Sequence, residues 1–138
     1  MITNRNIKYF NLAKNMSELS DFDKHHIGCV VVYKYHILSV GFNTNKTHPI
    51  QMEYNKFRQF NNPNNVHHKL HAEIMTLCKI KDLDIDWNKV EMYVYRQNYQ
   101  GDKALSAPCR ACREFLKDVG VKNLYYTGND SYCYEKIG

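Results

Sequence analysis

The chain has 138 residues, 43% of them apolar and 24% charged, with 19 Lys and Arg against 14 Asp and Glu for a net charge of +5. This length is enough for one core-burying domain over residues 1–138, and the composition excludes an extended disordered chain. No run reaches the roughly 18 apolar residues a membrane helix needs, and Met1-Ile2-Thr3-Asn4-Arg5-Asn6 lacks the apolar centre of a signal peptide, so an intracellular location without membrane attachment is expected.

Thr3 stands where a helix cap is needed, and Ile7, Phe10, Ala13 and Met16 or Leu19 recur at helical spacing up to Ser20-Asp21-Phe22-Asp23. Residues 27–33 and 36–42 are β-rich runs split by a short turn, which predicts an antiparallel hairpin. From Asn43 to about Lys69 the chain is polar and carries Pro49, Pro63 and four Asn at 61, 62, 64 and 65, and it reads as a long loop. A second helix is predicted from about Leu70 to Lys81, a strand over 90–95 and a loop from Gln97 to Ala107. Pro108 then suits the first position of a third helix that Gly120 ends. A strand over 123–127 precedes a turn at Gly128-Asn129-Asp130 and a short tail. The order α-β-β-α-β-α-β predicts a mixed sheet flanked by helices.

Two motifs carry the chemistry: His71-Ala72-Glu73 at one predicted helix start and Pro108-Cys109-Arg110-Ala111-Cys112 at the next. One imidazole and two thiolates are ligands that zinc prefers, and three protein ligands leave the fourth tetrahedral position open, as a catalytic site requires. Zinc so held brings the pKa of a bound water down to about 7. Glu73, two residues from His71, is then available to move protons, and the two helix N-termini favour the thiolate forms of Cys109 and Cys112.

A closed structural zinc site is the plainer alternative, and it needs a fourth ligand among Cys29, Cys78, Cys133, His67 and His68. Cys78 lies seven residues from His71, about 10 Å along a helix, too far to share its metal; the others stay open. Five cysteines without a secretory signal do not predict a disulfide framework. Cys29, Cys78 and Cys133 read as small buried hydrophobes. Scattered positive charge suits an anionic small molecule such as a nucleotide, without marking a nucleic-acid groove.

With these residues in place, the chain resembles the zinc-dependent cytidine and deoxycytidylate deaminase superfamily, whose signature is H-x-E followed by P-C-x-x-C with the glutamate outside the ligand set. The resemblance implies a three-layer α/β/α sandwich with a mixed central sheet, zinc held by His71, Cys109 and Cys112, and Glu73 as the proton carrier in hydrolysis at C4 of cytosine. It also implies a homo-oligomer. His as the first ligand and Gly41-Phe42-Asn43 are similar to the deoxycytidylate type, which assigns Asn43 to the sugar. Cys112-Arg113-Glu114-Phe115-Leu116 is more similar to the cytidine deaminase version.

Ala72 and Pro108, beside the ligands, join Asn43 and Arg96 as substrate-binding candidates. Arg96 ends the predicted strand nearest the site, and Lys46, Arg58, Lys103, Arg110 and Arg113 are further cations for a phosphate. His48 and Tyr54 are candidates to contact a base, each with a packing role as the alternative. His67, His68 and Cys29 raise the question of a second, structural zinc. The expected reaction is dCMP to dUMP plus ammonia. A base in single-stranded DNA or tRNA, a free nucleoside or a purine are alternative substrates, and a zinc-stabilised interaction domain is the alternative outside enzymology. Glu73 argues against the last, since a structural site has no use for it.

Overall fold

Thr3 begins the first helix with a reciprocal cap: its Oγ1 accepts from the Asn6 N–H at 3.2 Å and its own N–H donates to Asn6 Oδ1 at 2.9 Å. In the computed structural model, which describes residues 2–58 and 69–138, this helix is α1, Asn4–Ser17. Its buried face is Asn6, Tyr9, Phe10, Ala13 and Ser17. The helix stops short of Leu19, which is 59% exposed, and Ile7 sits beside the buried stripe rather than in it.

Strands β1 (His25–Tyr33) and β2 (His36–Phe42) form the predicted hairpin, and β1 begins two residues early because His25 and His26 pair with Asn98 and Gln97. The polar stretch after β2 is not all loop. His48 Nδ1 accepts from the Ile50 N–H and Pro49 takes the first helical position of α2, Pro49–Tyr54, which runs into a 3₁₀ turn at Asn55–Phe57. Helix α3 is Ala72–Cys78, shorter than predicted at both ends: Leu70 is still extended, its N–H bonded to Lys46 O, and the chain unwinds after Cys78.

Strand β3 (Val90–Asn98) runs past the predicted end and turns back as β4 (Lys103–Ala104), so the expected loop at 97–107 is largely a hairpin. Asn98 Oδ1 closes the turn by accepting from Gln100 and Asp102, and Gly101 supplies a φ of +84°. Helix α4 is Arg110–Val119 with Cys109, not Pro108, as its cap, so Pro108 lies outside the helix. Gly120 ends it at φ +112°, as expected. Strand β5 (Asn123–Thr127) is as predicted, whereas the tail forms a further strand, β6 (Tyr132–Lys136).

The six strands make a mixed sheet in the order β2-β1-β3-β5-β6, with β4 on β3, and β3/β5 the parallel pair among antiparallel neighbours. Alternate residues of β1 serve two layers. Val30 and Val32 pack with Tyr9, Phe10, Tyr93 and Tyr95 under α1, while Cys29 and Val31 pack with Ile74, Leu77, Met92, Phe115 and Leu116 under α3 and α4. This is the expected three-layer sandwich. Two glycines permit its closest approaches: a Cβ on Gly28 would collide with the α1 backbone at Ala13 and Ser17, and one on Gly41 would strike Thr76 Oγ1 of α3. No helix among the described residues is long and apolar enough to cross a membrane. Of the three spare cysteines, Cys29 is buried, but Cys78 and Cys133 are only half-buried.

Candidate active site

Helices α3 and α4 start side by side on one face of the sheet, and each start contributes to one cluster. His71 is the residue before α3 but makes no side-chain cap bond. Its ring is turned the other way, with Nδ1 3.3 Å from Cys112 Sγ and 3.6 Å from Cys109 Sγ. Cys109 precedes α4 and Cys112 lies one turn on, so i and i+3 bring both sulfurs to the same side.

The three ligand atoms lie within 4.8 Å of one another and form a group placed to hold a metal ion. The residues fit zinc. A tetrahedral ion with bonds of about 2.3 Å to sulfur and 2.0–2.1 Å to nitrogen separates such donors by about 3.5 Å, and the two observed N···S distances bracket that value. The donor set, two sulfurs and one imidazole nitrogen, also matches zinc rather than a hard cation. No further His, Cys or carboxylate joins the group among the described residues.

The electrostatics match the geometry. A hydrogen bond from the Cys112 thiol, helped by His71, holds Cys109 far below the ordinary thiol range, so it is a thiolate. The same hydrogen bond to Cys109, then burial and the negative charges of Glu73 and Cys109, push Cys112 up in return, so the pair shares a proton that a cation would displace. Glu73, in the first turn of α3, is buried, and that burial raises its pKa. Its Oε1 has no hydrogen-bond partner among the described residues. A buried carboxylate oxygen left in this state beside two thiols and an imidazole is a group awaiting a proton donor.

A cavity of about 500 Å³ opens beside His71, with Phe22, Lys24, His25, Asn43, Arg58 and Lys69 on its wall. The Phe22 and His25 rings lie 4.9 Å apart between centroids. Burial and the nearby positive charge of Arg96 lower the His25 pKa to about 4, leaving the ring neutral. Neither Phe22 nor His25 stands out in the sequence, because Phe22 comes from the turn between α1 and β1 and His25 from the first position of β1, both far along the chain from the two motifs.

Asn43 is on the cavity wall as expected, but its amide is committed: Oδ1 accepts from the Ile27 N–H at 2.8 Å and Nδ2 donates to His25 O at 3.1 Å. Ala72 and Pro108 are buried beside the ligands, and Pro108 O accepts from Arg113 Nε at 3.2 Å. Arg96 donates to Leu105 O, and its buried Nε has no partner among the described residues.

Of the other cations, Arg113 is tied to Glu135 and Lys103 lies over the Tyr132 ring, while Lys46 and Arg110 are exposed. His48 is used as the cap of α2, and the Tyr54 hydroxyl donates to Asp118 of α4, so both have the packing role. His67 and His68 lie outside the described residues, and their supposed companion Cys29 sits in the core. Sequence reasoning missed Gln51, whose Oε1 accepts from the His71 N–H at 3.0 Å; the signal was His48-Pro49, a helix start inside an apparent loop.

No curated protein matches the chain. Solved structures match in fold. The dCMP deaminase of the cyanophage S-TIM5 superposes with a TM-score of 0.61 at 22% identity, covering 95% of this chain and 88% of that one. Its structure with dCMP and dUMP gives 0.62 at 22% identity over 91% and 82% of the two chains. A cytidine deaminase from Burkholderia pseudomallei gives 0.64 at 15% identity over 97% and 92%. The model of the cytidine and deoxycytidylate deaminase zinc-binding region matches residues 3–128, almost the whole chain including both motifs, and the chain therefore belongs to that family of zinc-dependent deaminases.

Proposed function

We propose that this chain hydrolyses dCMP to dUMP and ammonia, with His71, Cys109 and Cys112 as zinc ligands and Glu73 as the proton carrier. The observation that carries the reading is the buried Glu73 Oε1, without a hydrogen-bond partner among the described residues, beside a three-ligand metal group whose His71 lines an open cavity. Zinc, when bound, supplies a Lewis acid that makes water nucleophilic at neutral pH.

The chain's own residues do the rest. Glu73, with its pKa raised by burial, accepts a proton from the attacking water and returns one to the departing amino group at C4. One C–O bond forms and one C–N bond breaks; of the two protons of the water, one ends on N3 of the base and the other leaves with ammonia. A single carboxylate suffices because it holds one proton at a time between two steps.

The monophosphate is favoured by the charge around the cavity. Lys24, Arg58 and Lys69 line it against one carboxylate, Asp23, and Arg96 is close enough to depress His25 while its Nε lacks a partner among the described residues. The neutral His25 and Phe22 rings supply flat apolar surface for the base or sugar. The phage enzyme of the same fold, solved with dCMP and dUMP, supports this choice. Asn43 shapes the wall by fixing the start of β1, and the sugar contacts this wall.

Ammonia release by the zinc-loaded protein offered dCMP, deoxycytidine, CMP, dCTP and a cytosine-containing single-stranded oligonucleotide tests the reading. Turnover of dCMP with kcat/KM well above the other four is the expected result. Preference for deoxycytidine over dCMP removes the phosphate assignment, and turnover of the oligonucleotide alone moves the activity to polynucleotides.

A further inference from the structure

We propose that Gln51 is a positioning residue of the metal centre, fixing ligand His71 through its backbone from a separate helix. The inference rests on the reading of His71 as a zinc ligand. Helix α2 buries one residue, and that residue is an amide: Gln51 is 0% exposed. A six-residue helix held by packing would put an apolar side chain there, because an amide is costly to bury unless both of its ends are bonded. Both are. Oε1 accepts from the His71 N–H at 3.0 Å and Nε2 donates to Asn55 Oδ1 at 2.8 Å, with Asn55 itself buried.

The need for this bond follows from what His71 has to do. At the residue before α3, a Ser, Thr, Asp or Asn would turn its side chain back onto the helix, whereas His71 turns its ring toward two sulfurs. Its backbone is instead clamped from outside the helix. Thr44 N–H donates to Leu70 O, Leu70 N–H donates to Lys46 O, and Thr47 bridges Lys69, so the segment entering His71 is held as a short strand. That pairing ends at Leu70, and Gln51 takes the next N–H in line. Rotation of the peptide at His71 would swing Nδ1 away from Cys109 and Cys112, and Gln51 blocks it. Partners that orient a ligand in this way change metal affinity by about 10–100-fold when lost.

The test is cobalt(II) binding to the full chain, read by thiolate-to-cobalt charge-transfer and d–d absorption and by competition with a chelator. Gln51→Leu and Gln51→Met both remove the acceptor, Gln51→Glu keeps one, and Val32→Ala weakens the core under α1, on the opposite face of the sheet. The acceptor-free variants are expected to bind cobalt about 10–100-fold more weakly with altered d–d bands, while Val32→Ala stays close to wild type and Gln51→Glu, which keeps the acceptor toward His71 but loses the donor to Asn55, loses less than they do. If Gln51→Leu does not fold, Gln51→Met carries the comparison. Wild-type affinity and spectra in the acceptor-free variants overturn the proposal, as does an equal loss in Val32→Ala. Failure of the wild-type chain to give a thiolate–cobalt spectrum instead overturns the zinc reading beneath it.

Discussion

The two faces of the sheet are built from the same strands and do different work. Under α1 the buried side chains are aromatic and aliphatic: Phe10 meets Tyr93 edge-on with centroids 5.3 Å apart, and Tyr93 stacks on Tyr125 at 4.5 Å. The buried polar groups of α1 are satisfied locally, Asn6 by Thr3 and by the Tyr93 hydroxyl at 2.7 Å, and Ser17 by donating to Lys14 O. Under α3 and α4 the core is aliphatic, but it is edged by buried polar groups, Gln51, Glu73, Thr76 and Ser106, most of which hold backbone rather than one another. One face is optimised for burial, and the other accepts the cost of buried polar groups in order to place ligands. The one buried carboxylate oxygen without a hydrogen-bond partner among the described residues is on the second face.

Substitutions on the two faces should therefore separate activity from stability. The largest effect is expected from Cys112→Ala, which leaves two ligands and removes the hydrogen bond that favours the Cys109 thiolate; stoichiometric zinc and deamination are both lost, checked by metal analysis and ammonia release. Next, Phe10→Ala on the opposite face is expected to cost about 3–5 kcal/mol of stability, measured by urea unfolding, while the surviving folded fraction keeps its zinc and its specific activity.

The smallest effect sharpens the boundary between core and cavity. His25 has its folded pKa lowered to about 4 from an ordinary 6.5, so the folded chain prefers the neutral ring. That stability is present above about pH 6.5 and is lost as the pH falls toward 4, because the unfolded chain takes up the proton first. Thermal unfolding at pH 7 and pH 4.5 should show a smaller acid loss in His25→Gln than in wild type.

Much of the sandwich was legible in the sequence where pattern and period agree. The hairpin at 25–42 and the strand at 123–127 fall where β-branched and aromatic runs end in turn residues. The group of His71, Cys109 and Cys112 placed to hold a metal was legible because zinc demands particular atoms at particular spacings. Helix α2 was hidden by its length of six residues, too short to show a period, although Pro49 marked it. Strands β4 and β6 pair with their neighbours in the chain, β3 and β5, and were hidden for other reasons: β4 is two residues long and is held by Ser106, whose Oγ donates to Val94 O and accepts from the Thr127 N–H, and β6 is a short run with no buried stripe. Asn43 misled in a different way. It lines the cavity, but both ends of its amide are taken up by the backbone of β1.

The central claim is that Glu73 carries the proton while His71, Cys109 and Cys112 carry the metal. The most direct measurement is the rate of ammonia release from dCMP by wild type and Glu73→Gln, each shown to hold one zinc per chain. The account predicts unchanged zinc and a kcat lower by about 10²–10⁴-fold, since the amide keeps the shape of the site but cannot take a proton. A Glu73→Gln variant that retains wild-type turnover, or that loses its zinc, would contradict it.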